Sequence, residues 1–292
     1  MEYILEVENL RKSFSDSGFS LKDISFSVPY GSIVGFIGEN GAGKTSTMGN
    51  ILGTLKSDSG RIKAFGEEIS DTKKELNEHI GVVYDSMNFP GNLDVIKLSK
   101  VMNNIYKNWN NDTYFHYINL FSLPKKQKIK SFSKGMSMKI ALAVALSHDA
   151  KLLILDEATS GLDPVAREEM LDVFLEFVKD KNRSILLSSH ITSDIEKVAD
   201  ELIFIKNGKI VLKMNTKELL NNYAIVQCKP NDLDEILENS ISLYKGNDNY
   251  IEVLVSNKKE LHAKYIKKNF TINDITLLLM KGETKNEGTH TK

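Results

Sequence analysis

Eight residues near the start of the chain, Gly38-Glu39-Asn40-Gly41-Ala42-Gly43-Lys44-Thr45, follow the pattern G-x-x-x-x-G-K-T. The glycines let successive backbone N–H groups converge and admit close approach by a ligand, an arrangement suited to the oxygens of a polyphosphate. Lys44 would reach the outer phosphates of a nucleoside triphosphate, and the Thr45 hydroxyl would hold magnesium. Farther along, the apolar run Leu152-Leu153-Ile154-Leu155 ends in two carboxylates, Asp156 and Glu157. Carboxylates have little reason to end a buried run unless they serve a metal ion or a water molecule. A third apolar run, Ile185-Leu186-Leu187, ends in Ser188-Ser189-His190. A histidine at the end of such a strand lies on the sheet edge where nucleotides bind.

These groups need strands to carry them and turns to release them. Residues 32–37 read as a buried strand before the glycine loop and 45–55 as the helix after it, the order a phosphate loop requires. A helix start also favours anions through its free N–H groups. Residues 3–7 and 21–28 read as an antiparallel pair separated by the turn Ser15-Asp16-Ser17-Gly18, and residues 80–84 as a strand ended by Asp85. The stretch 93–123 has a helical pattern, its aromatics serving core and contact surface. Ser133-Lys134-Gly135-Met136 leads into a helix over 138–147, whose alanines and leucines are strong helix formers. A turn at 158–164 precedes a helix over 165–179, and a further helix covers 194–199. Asn207-Gly208 between 201–205 and 209–214 marks a hairpin. Beyond about residue 218, short strand-like runs (223–228, 251–255) alternate with polar helix-like ones (232–238, 258–266), as in a small α+β unit. No catalytic constellation appears there, and residues 283–292 read as a disordered tail.

Composition excludes several classes. The 292 residues carry 38 Lys and Arg against 39 Asp and Glu, so there is no basic footprint for nucleic acid. The single cysteine, Cys228, rules out an internal disulfide and a multi-thiolate metal site and fits a reducing cytosol. No run approaches the roughly 20 apolar residues of a membrane span, so a membrane role calls for a partner. A guanine reader Asn-Lys-x-Asp is missing, since Asn257-Lys258-Lys259-Glu260 lacks the aspartate. On residue type alone, Phe14 reads as an ordinary packing aromatic.

Taken together, residues 2–215 resemble the nucleotide-binding subunit of an ABC (ATP-binding cassette) transporter. The motifs come in family order: the phosphate loop, a variant of the Leu-Ser-Gly-Gly-Gln signature at Ser133-Lys134-Gly135-Met136, the strand 152–157, the loop Ser160-Gly161-Leu162-Asp163 and His190. The resemblance implies an α/β P-loop NTPase cassette: a mixed central sheet with flanking helices, an antiparallel β subdomain and an inserted helical subdomain over about 86–148. The cassette would span 1–217 and the α+β appendage 218–282. ATP would be bound by Phe14, which now reads as the adenine platform, and by Gly38, Glu39, Asn40, Gly41, Ala42, Gly43, Lys44, Thr45 and Ser46.

Magnesium would be held by Thr45, Asp156 and Asp85, and hydrolysis carried by Glu157, His190 and Lys44. Ser133, Lys134, Gly135 and Met136 would face the ATP of a second cassette, identical or a sister chain, with Asp163 coupling the two sites. Two departures from the family pattern stand out: Asp85 replaces the usual glutamine, and in the signature Lys134 replaces the first glycine and Met136 the glutamine. With these features the chain looks like a subgroup that accompanies small exporters of peptides and lantibiotic-type antibiotics. Its partners would be integral-membrane permease subunits, its place the cytoplasmic face of the membrane, and nucleic acid no partner. Two other readings share the nucleotide residues: a soluble ABC ATPase of translation or repair, and a regulatory ATP-binding module.

Overall fold

The computed structural model describes residues 2–69, 78–85, 89–229, 236, 243–246, 250–256, 258, 266–267 and 270–284. Its centre is a six-stranded sheet in the order β10-β9-β3-β8-β7-β6. The strands are β3 (Ile33–Ile37), β6 (Ile80–Tyr84), β7 (Leu152–Asp156), β8 (Ser184–Ser189), β9 (Glu201–Lys206) and β10 (Lys209–Asn215). All are parallel except β10, which pairs antiparallel with β9. Every residue of β3, β7 and β8 is buried, as expected of parallel strands covered on both faces. Their C-terminal ends fall on one edge, and one rung of the ladder sets Phe36, Ser188, Asp156 and Tyr84 side by side.

Strand β1 (Tyr3–Ser13) extends well beyond the expected 3–7, whereas β2 (Ser20–Pro29) exceeds the expected 21–28 by one residue at each end. With β4 (Ser59–Ala64) and β5 (Glu67–Glu68) they form an antiparallel sheet, β2-β1-β4-β5. Its inner face, including Leu5, Val7, Leu10, Ile24 and Phe26, packs with Val34, Phe36 and Met48 in one core cluster. A second and larger cluster joins β7 and β8 to the helices on the other side. The expected helical stretch 93–123 is two helices, α2 (Val95–Ile105) and α3 (Asn111–Leu120), each started by a side-chain cap, Asp94 and Asn110. Helix α4 (Lys134–Ala145) starts four residues earlier than expected, because Ser133 caps it by accepting from the Met136 N–H at 3.2 Å.

The Asn207-Gly208 hairpin is as the sequence indicates. Both residues have positive φ, 49° and 72°, the geometry of a two-residue turn that matches the twist of its strands. Gly208 N–H donates to Ala42 O at 3.0 Å, and Gly208 O accepts from the Lys22 N–H at 2.7 Å. A Cβ at 208 would fall 1.9 Å from Ser20 O, so the turn braces the glycine loop only because it has no side chain.

After the helix Thr216–Asn222, a third sheet has the order β11-β13-β12-β14, from Ala224–Cys228, Ile251–Val255, Leu243–Gly246 and Glu283–Thr284. The last strand corrects the expectation of a tail disordered from 283: Thr284 and Glu283 pair with Leu243 and Tyr244. Residues 285–292, and nearly all of the two polar helix-like runs 232–238 and 258–266, lie outside the described residues. A C-terminal helix, Ile272–Lys281, opens on a capping box between Thr271 and Asp274 and buries Ile272, Ile275, Leu278 and Leu279 in the larger core.

Candidate functional site

Three chain segments, those leaving β3, β7 and β8, meet at the C-terminal edge of the central sheet. The glycine loop leaves β3 and enters helix α1 (Lys44–Ile51) directly, with Gly43 at φ 115°. A Cβ there would lie 2.7 Å from Leu21 Cδ2, so conformation and space both require glycine. Lys44 is 5% exposed, and its ammonium donates to Gly38 O at 2.7 Å and Glu39 O at 3.4 Å. Its Nζ also lies 3.3 Å from Glu157 Oε1. The Thr45 hydroxyl donates to Asp156 Oδ2 at 2.8 Å, and Ser188 Oγ to Asp156 Oδ1 at 2.5 Å. Glu157 adopts φ 55°, a left-handed conformation uncommon for a side chain of its size. This turn out of β7 is secured by its N–H, which donates to both O and Oγ of Ser188.

The other Glu157 oxygen, Oε2, accepts from His190 twice, from the backbone N–H at 3.2 Å and from Nδ1 at 2.5 Å. An ionised carboxylate only accepts, so Nδ1 carries the proton in this contact and leaves Nε2 as an acceptor. Lys44, Glu157 and His190 thus form one contiguous set. Glu157 Oε1 is buried and makes no hydrogen bond, its one charged neighbour among the described residues being the Lys44 ammonium. Asp156, 5% exposed, and the exposed Thr45 supply the hard oxygens a magnesium ion takes. Among the described residues no group of three or more His, Cys, Asp or Glu could cage a metal. Such a donor set suits an ion that takes one or two protein oxygens and completes its shell with phosphate and water.

A cleft of about 420 Å³ opens beside these groups, lined by Glu39, Asn40, Gly41, Gly43, Lys44, Thr45, Ser46 and Glu157. Its far wall is Phe14, Ser17 and Phe19. Phe14 is half-buried, tilted against Phe19 at 6.1 Å between ring centres, with Lys12 Nζ 5.9 Å from its own.

Other expected residues stand apart. Asp85, expected at the metal, is held instead by Lys134, whose Nζ donates to Asp85 Oδ1 at 2.6 Å. Ser133 accepts the α4 cap, which leaves its O–H free to donate. Gly135 sits in the first turn of α4, where a Cβ would make ordinary contacts with Leu162 Cδ2 at 3.7 Å and Ser133 Oγ at 3.9 Å, and Met136 packs on the core. Asp163 caps the helix α5 (Pro164–Phe177), accepting from Val165 and Ala166 N–H at 3.0 Å each. The N–H of Ala166, and then that of Val165, hold its carboxyl below the ordinary 3.8. Sequence reasoning missed Ser188, Phe19 and Gly208. Ser188 had a signal, a hydroxyl closing an otherwise apolar strand; Gly208 was legible as a hairpin turn but not as a brace of the glycine loop, and Phe19 had no signal.

Comparison with known proteins now decides the family. The family model described as ABC transporter matches residues 21–160. The bacitracin transport ATP-binding protein BcrA of Bacillus licheniformis is 36% identical over 214 residues, 72% of this chain and 69% of that one. The chain belongs to the ATP-binding subunits of ABC transporters. The cassette is also 33% identical to the lantibiotic transport ATP-binding protein SrtF of Streptococcus pyogenes, over 77% of this chain and 99% of that one. Among solved structures it resembles cbiO1 of Clostridium perfringens, part of the ABC transporter complex cbiONQ, with TM-score 0.65 and 28% identity. That match covers 75% of this chain and 91% of the other. The matched folds confirm the α/β cassette with its antiparallel sheet. No described helix is long and apolar enough to cross a membrane.

Proposed function

We propose that this cassette hydrolyses ATP to drive export of a peptide or antibiotic through separate membrane subunits. The observation that carries the hydrolytic part is one carboxylate, Glu157, placed against both Lys44 and His190. Adenine would stack on Phe14, and the N–H groups of 38–46 would cradle the phosphates while Lys44 neutralises the outer ones. Thr45 and Asp156 would hold magnesium, which supplies charge stabilisation on the phosphate oxygens when bound. Glu157 would orient and deprotonate the attacking water through Oε1, and His190 would fix the Glu157 carboxylate and hold that water against the γ-phosphate. Phosphoryl transfer asks for this kind of positioning and charge placement more than for covalent chemistry.

A second cassette would complete the site, with Ser133 O–H and Gly135 N–H facing its ATP and Asp163 at the junction. The substrate class rests on the likeness to proteins named for bacitracin and lantibiotic transport. The membrane subunits would dock, from the cytoplasmic face, at the cleft of about 340 Å³ between the edge strand β6 and α2. Ile80, Val82, Tyr84, Ile105 and Tyr106 line it, with Glu78 at its rim, and Ile105 is 58% exposed. Glu157→Gln keeps the shape and removes the base. Phosphate release should fall roughly 10²- to 10⁴-fold while calorimetry still shows ATP binding. Turnover near that of the parent chain would refute the assignment.

A further inference from the structure

Two of the positions at which the motifs depart from the family pattern, Asp85 and Lys134, are bonded to each other. Lys134 Nζ lies 2.6 Å from Asp85 Oδ1, across 49 residues of sequence. On its way the Lys134 side chain crosses the loop after β7. A Cβ on Gly161 would lie 3.2 Å from Lys134 Cδ and 3.3 Å from its Nζ. One lysine therefore touches the loop after β6 and the loop carrying Asp163, from the first residue of α4.

Two magnitudes say what this pair is for. Both side chains are about half exposed, 44% and 51%, and an exposed ion pair contributes little to stability. Position adds nothing either, since a cation at the first residue of a helix opposes the helix dipole, and α4 has no acidic residue in its first turn to offset it. Lys134 is thus neither a stabilising salt bridge nor a helix-favouring residue. What remains is a positive charge on a long side chain, at the segment that faces a second cassette's ATP in the proposed pair, and parked on a carboxylate that holds it weakly.

We propose that Lys134 exchanges partners: it is held by Asp85 in the separate cassette and transfers to the phosphates of the ATP bound by the second cassette when the two close. Asp85 is a competitor for Lys134, which makes it a brake on closure instead of a magnesium contact. This inference rests on the two-cassette reading of the site. A triphosphate carries more charge than one carboxylate, so the exchange runs toward closure only when ATP is bound. It also ties the partner of Asp85, at the end of β6 and next to the cleft proposed for the membrane subunits, to occupancy of the nucleotide site.

The test is ATP-driven association of the full chain carrying Glu157→Gln, followed by light scattering over a range of MgATP concentrations. Asp85→Asn in that background should lower the ATP needed for half-association about two- to fivefold, the scale of an exposed ion pair. Lys134→Met should raise it by at least as much, and the double variant should match Lys134→Met alone, because without the lysine there is nothing to release. Additive effects, or weaker association in Asp85→Asn, would overturn the exchange and restore Asp85 as a ligand. Association that ignores all three variants would overturn the exchange alone. No ATP-driven association even in the parent would overturn both the exchange and the paired-cassette reading.

Discussion

The Asp156 carboxylate accepts from two hydroxyls, Thr45 and Ser188, and Ser188 also accepts the Glu157 N–H. One serine therefore orients both acidic residues. It also holds the strained turn at which Glu157 leaves the sheet, with φ at 55°. Ser188→Ala removes a hydrogen bond to a charged group, worth about 1.5–3 kcal/mol, and leaves the Glu157 N–H only its bond to the backbone O of residue 188. We expect kcat for ATP hydrolysis to fall roughly ten- to a hundredfold with a smaller change in KM, because Lys44 and the glycine loop still hold the phosphates. Steady-state kinetics checks this, and an unchanged kcat would reduce Ser188 to a structural residue. At this scale the sequence showed which residues are suited to chemistry, since the cost of burying carboxylates disfavours Asp-Glu at the end of an apolar run that has no ion or water to serve. It could not show that Ser188 joins Asp156 or that Lys134 meets Asp85, because those contacts come from strand order and loop path.

Elements were legible where burial marks the sequence. Strands β3, β7 and β8 are buried on both faces, so they read as unbroken apolar runs. Strand β4, Ser-Gly-Arg-Ile-Lys-Ala, buries only Ile62 and Ala64, and its pairing with β1 supplies what its residues do not announce. The break between α2 and α3 was equally hidden. Tyr106 there stacks on His148, ring centres 4.0 Å apart at 9°, and beside Trp109. His148 Nδ1 contacts Glu78 O at 2.9 Å, and burial pushes the imidazole below its ordinary 6.5. In the folded chain it therefore resists protonation, whereas the unfolded chain takes up a proton near 6.5. The stability that the neutral ring permits is present above that value and is lost as pH falls toward the folded pKa. His148→Gln keeps a donor for Glu78 O without a titrating ring. Its thermal midpoint should drop less between pH 7 and 5.5 than that of the parent, whatever its absolute stability. Equal drops would show that His148 does not contribute to the acid limb.

At the scale of the molecule, the question is whether the region after residue 217 is a separate body or part of the cassette. Its sheet has two faces. Val226, Cys228, Ile251 and Val253 form a small cluster of their own, while Ile225 and Leu254 join the large core. The C-terminal helix packs on the helix Thr192–Val198, directly after His190, and Ile272 N–H donates to Glu196 Oε2 at 3.4 Å. Leu278, 1% exposed, sits in the same core as Ile195, Leu202 and Phe204. Sequence texture suggested a boundary near 218 because the chemistry stops there, but apolar burial does not stop there, and burial sets folding cooperativity. Leu278→Ala should then cost about 2–5 kcal/mol, the range for a leucine deleted from a packed interior. Because that core is shared, the loss should lower a single calorimetric transition by several degrees. ATP should raise that same transition, since a ligand stabilises whatever unfolds with its site. Two transitions, with Leu278→Ala lowering one and ATP raising only the other, would instead make the C-terminal region an independent unit.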